Sequence, residues 1–184
     1  LSGVSDQLEE LIRLAPAGEA DPVIEAIRTR HQRLATELEI PFPTAVEEQL
    51  EALNKVSQGA HLLGELPPRH RAQVMASGEL MATALGAAFL AQQGLDAGWL
   101  DARNCLCTDG EDEDPFRAFL SASCAPGPDG DVQAMLEARE ESVLITQGFI
   151  ARTPTGDTAL LGRGGSDTSA AYFAAKLEAE ALEI

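Results

Sequence analysis

The first third of the chain carries apolar residues that recur every three or four positions, with Glu, Arg and Gln between them. This spacing places the apolar side chains on one face of an α-helix. Pro41 and Pro43 interrupt the series, because proline lacks an amide donor and restricts the residue before it. The pattern predicts three amphipathic helices between about Ser5 and Leu66. Their apolar positions are Leu8, Leu11, Ile12 and Leu14, then Val23, Ile24, Ile27, Leu34 and Leu38, then Val46, Leu50, Leu53, Val56 and Ala60.

After Leu66-Pro67-Pro68 the pattern changes to strands that alternate with helices. Residues 73–76 are predicted to be a short apolar approach to Ser77-Gly78-Glu79, and a helix is expected from there to about Gly94. Residues 97–101 predict a buried strand, and residues 104–108 predict a short second strand.

The end of the chain repeats this alternation. Residues 132–139 are predicted to be helical, and residues 142–146, a continuous apolar run, predict a central parallel strand. Residues 153–157 have the composition of a turn at the tip of a hairpin. Residues 166–181 predict the last helix, and residues 182–184 are expected to begin another strand.

Strands alternating with long helices indicate an α/β fold with a three-layer α/β/α sandwich and a mainly parallel sheet. We expect one domain over residues 1–184, with a mainly helical portion at 1–66 and an α/β portion at 67–184. Residues 109–131, rich in Asp, Glu, Pro and Gly, are expected to form a mobile surface loop inside the second portion.

The charge balance narrows the possible partners. Thirteen Lys and Arg residues against thirty Asp and Glu residues give a net charge of −17. Such a surface repels phosphate backbones and anionic lipids, so neither nucleic acid nor a membrane is expected as a partner. No apolar run is expected to reach the roughly 20 residues that cross a bilayer, and we expect a cytoplasmic protein.

The sequence gives little indication of a metal site or of disulfide bonds. Cys105, Cys107 and Cys124 are too few for a disulfide framework and are expected to be reduced thiols. The three histidines match no helix-borne metal pair and are expected at the surface. The acidic cluster after Thr108 lacks the ligand alternation of a calcium loop, so no metal-ligating residues are predicted.

The strongest candidate for chemistry is the run Arg163-Gly164-Gly165-Ser166-Asp167 at the start of the last helix. The two glycines permit positive φ and close approach of a ligand, and Ser166 or Asp167 can cap the helix. Arg163 offers a planar fork for a carboxylate, and Asp167 can accept an ammonium group. The run therefore suits a small zwitterion, although a helix cap beside a surface arginine is the simpler interpretation of these five residues alone.

This run belongs to a set of three motifs in the chain. They are residues 146–150 (Thr-Gln-Gly-Phe-Ile), residues 161–167 (Leu-Gly-Arg-Gly-Gly-Ser-Asp) and residues 76–81 (Ala-Ser-Gly-Glu-Leu-Met). With them the chain closely resembles the aspartokinase branch of the amino-acid kinase family. The resemblance implies transfer of the ATP γ-phosphate, with Mg²⁺, to the β-carboxylate of L-aspartate, in the biosynthesis of lysine, threonine and methionine.

The resemblance also assigns roles to residues. Arg163 would bind a carboxylate of aspartate, and Glu79 and Asp167 would surround its amino group; these three are the candidate catalytic residues. Phe149 and Ser166 would line the substrate pocket. The first six residues resemble a small-residue loop of the family, in which Ser2 and Gly3 approach the transferred phosphate and Ser5 approaches the substrate carboxylate. Gly164 and Gly165 would also contact phosphate.

Two family elements are not found in this sequence: the Lys-Phe-Gly-Gly-Thr-Ser loop and the later Thr-Asp segment that contacts the nucleotide. We therefore expect a fragment that binds ATP poorly and is inactive alone, from a protein that forms a homo-oligomer. Two alternatives stay open. One is another amino-acid kinase, acting on glutamate, acetylglutamate or a nucleotide, and the other is a noncatalytic binding or interaction fragment.

Overall fold

The computed structural model describes residues 2–110, 114–162 and 164–184. The described part contains seven α-helices, four strands and two short 3-10 turns, Ala15–Ala17 and Ala102–Asn104. In chain order the main elements are α1 (Val4–Leu14), α2 (Asp21–Glu37), α3 (Thr44–Leu63), α4 (Pro68–Gln92), β1 (Ala97–Leu100), α5 (Pro115–Leu120), α6 (Gly130–Glu137), β2 (Val143–Thr146), β3 (Ile150–Arg152), β4 (Thr158–Leu160) and α7 (Gly165–Lys176).

The three helices predicted for the first portion are confirmed as α1, α2 and α3. Their apolar faces meet α4 in one continuous core that contains Leu11, Ile27, Leu50 and Met81. Helices α2 and α3 are also joined at their surfaces, where the Arg28 guanidinium donates to both carboxylate oxygens of Glu47 at 2.7 Å. The periodic pattern was sufficient here because each helix buries a single stripe.

Helix α4 corrects the prediction for residues 73–79. The helix begins at Pro68, whose missing amide costs nothing in the first turn, so residues 73–79 are helical and Glu79 lies in mid-helix. Gly78 does not break the helix, and a Cβ there would lie only 3.0 Å from Leu8 Cδ1. The glycine thus lets α1 pack closely against α4.

Helix α4 is long and apolar enough, by length and composition alone, to cross a membrane, although we expected no such run. Its packing is that of a core helix. It contacts α1 and α3 on one side and β1, β2 and β4 on the other. An interior helix is apolar around much of its circumference for the same reason as a membrane span.

Strands β1 and β2 form the parallel pair on which the layers are built, with Trp99 opposite Ile145 and Leu100 opposite Thr146. Neighbouring side chains on a strand point to opposite faces. Trp99 packs against the core that includes α4, whereas Leu100 packs in the cluster that includes Met135 on α6 and Phe173 on α7. Helices therefore cover both faces, as the predicted three-layer α/β arrangement requires.

The predicted hairpin is confirmed. Strands β3 and β4 pair antiparallel, with Ile150 opposite Leu160 and Arg152 opposite Thr158. At the tip, the Thr153 amide donates to the Asp157 carbonyl at 2.7 Å, and Gly156 has a φ of 90°. Ile150 and Leu160, the pair at the base of the hairpin, are buried, so the segments that enter and leave the hairpin are held against the core.

Several predicted boundaries were wrong. Residues 104–108 form no strand; Cys107 and Thr108 make isolated bridges to two different partners. The supposed loop at 109–131 contains α5, capped by Asp114, although residues 111–113 lie outside the described part. Helix α7 ends at Lys176, and residues 182–184 form no strand, so their apolar side chains are exposed.

His31 also corrects the prediction that the histidines lie at the surface. Its side chain is fully buried, and its Nδ1–H donates to the Ile27 carbonyl at 2.7 Å. Burial lowers the pKa of the imidazole below its usual value. The cysteines do follow the prediction, since all three are free and Cys105 and Cys124 are buried.

Candidate functional site

The turn between β2 and β3 holds Phe149 in an unusual backbone conformation. Its φ is +72°, in the left-handed region that side chains other than glycine seldom adopt. Three hydrogen bonds hold it there. The Phe149 amide donates to Ser169 Oγ at 3.1 Å and to the Gly165 carbonyl at 3.3 Å, and the Phe149 carbonyl accepts from the Leu161 amide at 2.9 Å. Phe149 is thereby joined to both the hairpin and α7.

Two glycines allow this turn to touch the start of α7. A Cβ on Gly148 would lie 3.0 Å from both Cα and Cβ of Ser166. A Cβ on Gly165 would lie 2.7 Å from Phe149 Cδ2 and 3.2 Å from Phe149 Cα. The motif that contains Phe149 and the glycine-rich motif at the start of α7 are therefore in contact through Gly148 and Gly165.

The start of α7 differs from the predicted cap. The N-cap is Gly164, with a φ of 75°, and no side chain caps the helix. Ser166 and Asp167 are exposed in the first turn, so their polar atoms are not used for capping. The uncapped amides of a first turn favour an anion.

Glu79 lies half-buried in the middle of α4. Its side chain and that of Asp167 have no hydrogen-bond or ion-pair partner within the described residues. A partly buried carboxylate without a partner is costly and well suited to receive a cation. The adjacent Leu80 belongs to the same apolar cluster as Phe149, so this part of α4 and the turn share one core.

The first residues of the chain lie beside α4. Val4 Cγ1 would be 3.6 Å from a Cβ on Gly78, which brings the first turn of α1, with Ser5, close to the segment that carries Glu79. The carbonyl of Ser2 accepts from Arg30 Nη1 at 2.7 Å, and Gly3 has a φ of 78°. In the part of the chain that the structure describes, no hydrogen bond joins Ser2 or Gly3 to the start of α7.

Arg163, the predicted carboxylate ligand, lies outside the described residues. Lys176 is buried and bound to Asp129, with Nζ 2.8 Å from Oδ2. Among the described residues, no group of three or more His, Cys, Asp and Glu side chains can hold a metal ion. A Mg²⁺ ion held mainly by nucleotide phosphates and water does not need such a group.

Sequence reasoning missed a partly buried polar cluster behind the turn. It consists of Thr83 on α4 and of Gln147 and Trp99, both of which donate a hydrogen bond to the Thr83 hydroxyl. The one available signal was a glutamine at the end of an otherwise apolar strand. Its partners are far apart in sequence, and the sequence alone did not identify them.

The chain was compared with known proteins. A sequence profile described as "Amino acid kinase family" matches residues 8–184. An aspartokinase from Chlamydia muridarum is 32% identical over 184 residues, covering 100% of this chain and 39% of the relative. The lysine-sensitive aspartokinase 3 of Escherichia coli is 29% identical over 188 residues, covering 100% of this chain and 40% of the relative.

Solved structures give the same result. The crystal structure of E. coli aspartokinase III in complex with aspartate and ADP (R-state) matches with a TM-score of 0.72 and 28% identity, over 94% of this chain and 38% of that one. The complex of that enzyme with lysine and aspartate (T-state) matches with a TM-score of 0.69. The chain thus spans about two fifths of the length of these relatives. On the match over residues 8–184, the chain belongs to the amino acid kinase family.

Proposed function

We propose that the protein containing this chain is an aspartate kinase, which transfers the γ-phosphoryl group of ATP to the β-carboxylate of L-aspartate. The observation that carries the proposal is the likeness, over 94% of the chain, to an aspartokinase crystallised with aspartate and ADP. The carboxylate of Glu79, which has no hydrogen-bond or ion-pair partner within the described residues, supports it from the chain itself.

The proposed site lies where α4, the Phe149 turn and the start of α7 approach one another. Glu79 and Asp167 would receive the ammonium group of aspartate, and Arg163 would bind a carboxylate. Phe149 and Ser166 would line the pocket, with Ser5 at the substrate carboxylate. Phosphate would be approached by the glycine-rich turns: Ser2, Gly3, Gly164 and Gly165.

The reaction needs no general base, because the attacking carboxylate is ionised at neutral pH. One carboxylate oxygen forms a bond to the γ-phosphorus while the bond from that phosphorus to the β-γ bridging oxygen breaks, giving 4-phospho-L-aspartate and ADP. Catalysis then rests on positioning and on neutralising the phosphate charge. Mg²⁺ bound with ATP would supply part of this neutralisation, and an ion held by one or two carboxylates and the substrate phosphates needs no cluster of three protein ligands.

We further propose that residues 1–184 form part of one catalytic domain, with the helical portion at 1–66 and the α/β portion at 67–184. We also propose that the protein is cytoplasmic and that it assembles into a homo-oligomer.

The test is aspartate-dependent release of ADP by the full-length protein. Glu79→Ala and Arg163→Ala are each expected to lower kcat/KM at least about 100-fold, or about 2.7 kcal/mol of transition-state stabilisation. Glu48→Ala, at an exposed glutamate on α3, is the matched control and should retain activity. Near-normal turnover by both site variants would reject the assigned pocket. Release with glutamate or acetylglutamate but not aspartate would indicate another kinase of the family.

A further inference from the structure

Gln147 joins three elements from a fully enclosed position. It follows β2 directly and is 1% exposed. Its Oε1 accepts from the Ala102 amide at 2.8 Å, at the end of β1, and its Nε2 donates to Thr83 Oγ1 on α4 at 2.8 Å. The Ala102 amide can only donate, which fixes the orientation of the side-chain amide.

The Thr83 hydroxyl is fully used by this arrangement. It donates to the Glu79 carbonyl at 2.8 Å and accepts from both Gln147 Nε2 and Trp99 Nε1, the latter at 3.0 Å. A hydroxyl has one proton to give and two lone pairs to receive. Thr83 Oγ1 also lies 3.3 Å from the Leu80 carbonyl, so its proton can be shared between two carbonyls of α4, while Gln147 and Trp99 occupy both acceptor positions.

The cluster connects the two sides of the proposed substrate pocket. On one side, Thr83 is bonded to the backbone of Glu79, one helical turn away. On the other side, Gln147 is two residues from Phe149, whose neighbour Gly148 contacts Ser166 at the start of α7. The bond between Gln147 and Thr83 thus ties the turn of α4 that carries Glu79 to the segment that leads into Phe149.

We propose that Gln147, acting through Thr83, is a positioning residue that holds Glu79 in register with Phe149 and the start of α7 for binding of L-aspartate. The inference rests on the proposed function. Gln147 touches no reacting atom; it acts by fixing the separation of residues that do. A displacement of about 1 Å in such a site costs up to about 100-fold in rate.

The test compares kinetic constants for aspartate and ATP in the full-length protein. Gln147→Leu and Thr83→Val keep side-chain volume but remove the bond, and each is expected to lower kcat/KM for aspartate about 10-fold to 100-fold, mainly by raising KM for aspartate. The KM for ATP should change less than about twofold, because the cluster lies behind the amino-acid pocket. The double variant should be about as impaired as either single variant, since the residues act as one unit.

Three further variants distinguish an effect on positioning from an effect on folding. Thr83→Ser restores the hydroxyl and should recover most of the aspartate affinity. Thr36→Val removes a hydroxyl that makes the same bond to the carbonyl four residues earlier, but on the exposed face of α2, and should behave as wild type. If Gln147→Leu does not fold, Trp99→Phe removes one donor from Thr83 and should raise KM for aspartate about threefold to fivefold.

A failure of the proposed function can be distinguished from a failure of the positioning role of Gln147. Wild-type protein without aspartate-dependent ADP release would overturn the proposed function, and this inference with it. Active wild type together with normal aspartate KM in Thr83→Val and Gln147→Leu would overturn the positioning role alone. Equal rises in the KM for aspartate and for ATP would also overturn it, since a general structural defect would then explain both.

Discussion

The helical portion and the α/β portion of this chain are held together in different ways. Helices α1, α2 and α3 pack with α4 around one continuous apolar core. The α/β portion has two smaller apolar clusters, one on each side of its strands, and a hydrogen-bonded polar cluster that joins α4 to the segment after β2. The first portion depends on burial, which is not directional, whereas the second adds hydrogen bonds that fix distances between elements.

Helix α4 belongs to both portions, and this explains why the proposed site lies along it. The side of α4 that faces the helical portion buries Val74, Met81 and Leu85 in the helical core. Its other side carries Leu80 toward the hairpin and Thr83 toward Gln147. The helical core thus supplies a rigid support, and the polar cluster ties α4 to the segment that leads into Phe149. Variants of the two kinds should separate stability from substrate binding.

The largest effect is expected from the helical core. Leu50→Ala removes a fully buried side chain from α3 and should lower the free energy of unfolding by about 2–5 kcal/mol, through lost transfer energy and the cavity left behind. Urea unfolding of the full-length protein measures this loss. The KM for aspartate should not change at temperatures where the variant is folded.

The control lies in the same helix. Leu62 is 85% exposed, so Leu62→Ala should change stability by less than about 0.5 kcal/mol. A comparable loss in both variants would show that the core is not organised as described.

A smaller effect on stability, joined to an effect on binding, is expected at Gly165. In Gly165→Ala the new methyl group would press on the Phe149 ring and backbone, which should cost about 1–3 kcal/mol. We also expect weaker binding of aspartate, measured by calorimetric titration, because Phe149 must move.

Gly86→Ala provides the matched comparison. Gly86 lies in α4 with nothing within 4 Å of the added carbon, so this variant should be neutral or more stable by up to about 1 kcal/mol. If Gly165→Ala bound aspartate as well as Gly86→Ala does, the contact between α7 and the Phe149 turn would have no role in binding.

The buried histidine of the helical portion predicts a pH dependence. Because burial lowers the pKa of His31, the folded protein binds fewer protons than the unfolded chain below the ordinary pKa of about 6.5. His31 should therefore reduce stability as the pH falls from about 6.5 toward its lowered pKa, by at most about 1.4 kcal/mol per pH unit.

Urea midpoints at pH 7.5 and 5.5 measure this effect. His31→Gln should show a smaller loss on acidification than wild type. His61→Gln, at an exposed histidine, should show the wild-type loss. Identical slopes for all three proteins would refute the role given to His31.

The smallest effect concerns the thiols of the α/β portion. Burial raises the pKa of Cys105 and of Cys124 to about 11, so few thiolates form at pH 8, whereas Cys107 is only half-buried. Iodoacetamide should modify Cys107 first, and the other two only after unfolding, as read by peptide mass spectrometry. Rapid labelling of Cys124 in a folded Cys107→Ser variant would contradict the described core.

The sequence predicted elements that depend on local pattern and missed those that depend on distant partners. Helices α1 to α3 follow from apolar spacing, and the hairpin follows from its turn residues. The start of α4 was missed because Gly78 looks like a helix breaker until Leu8 is seen to pack on it. The buried state of His31 was missed because no local pattern shows that its neighbours close over it.

The same division applies to the site. The motifs around Phe149, Glu79 and Asp167 were visible in the sequence because each has a distinctive composition. The contact of Gly148 with Ser166 and the bond between Gln147 and Thr83 join residues up to 64 positions apart. Such pairs are set by tertiary packing, which a single sequence does not specify by pattern.

The central claim is that α4, the Phe149 turn and the start of α7 together hold one amino acid. A crystal structure of the full-length protein with bound L-aspartate tests it most directly. The account predicts the ammonium group within about 3 Å of the Glu79 or Asp167 carboxylate, with Phe149 against the ligand. Aspartate bound elsewhere, with Glu79 and Asp167 opening onto separate surfaces, would contradict it.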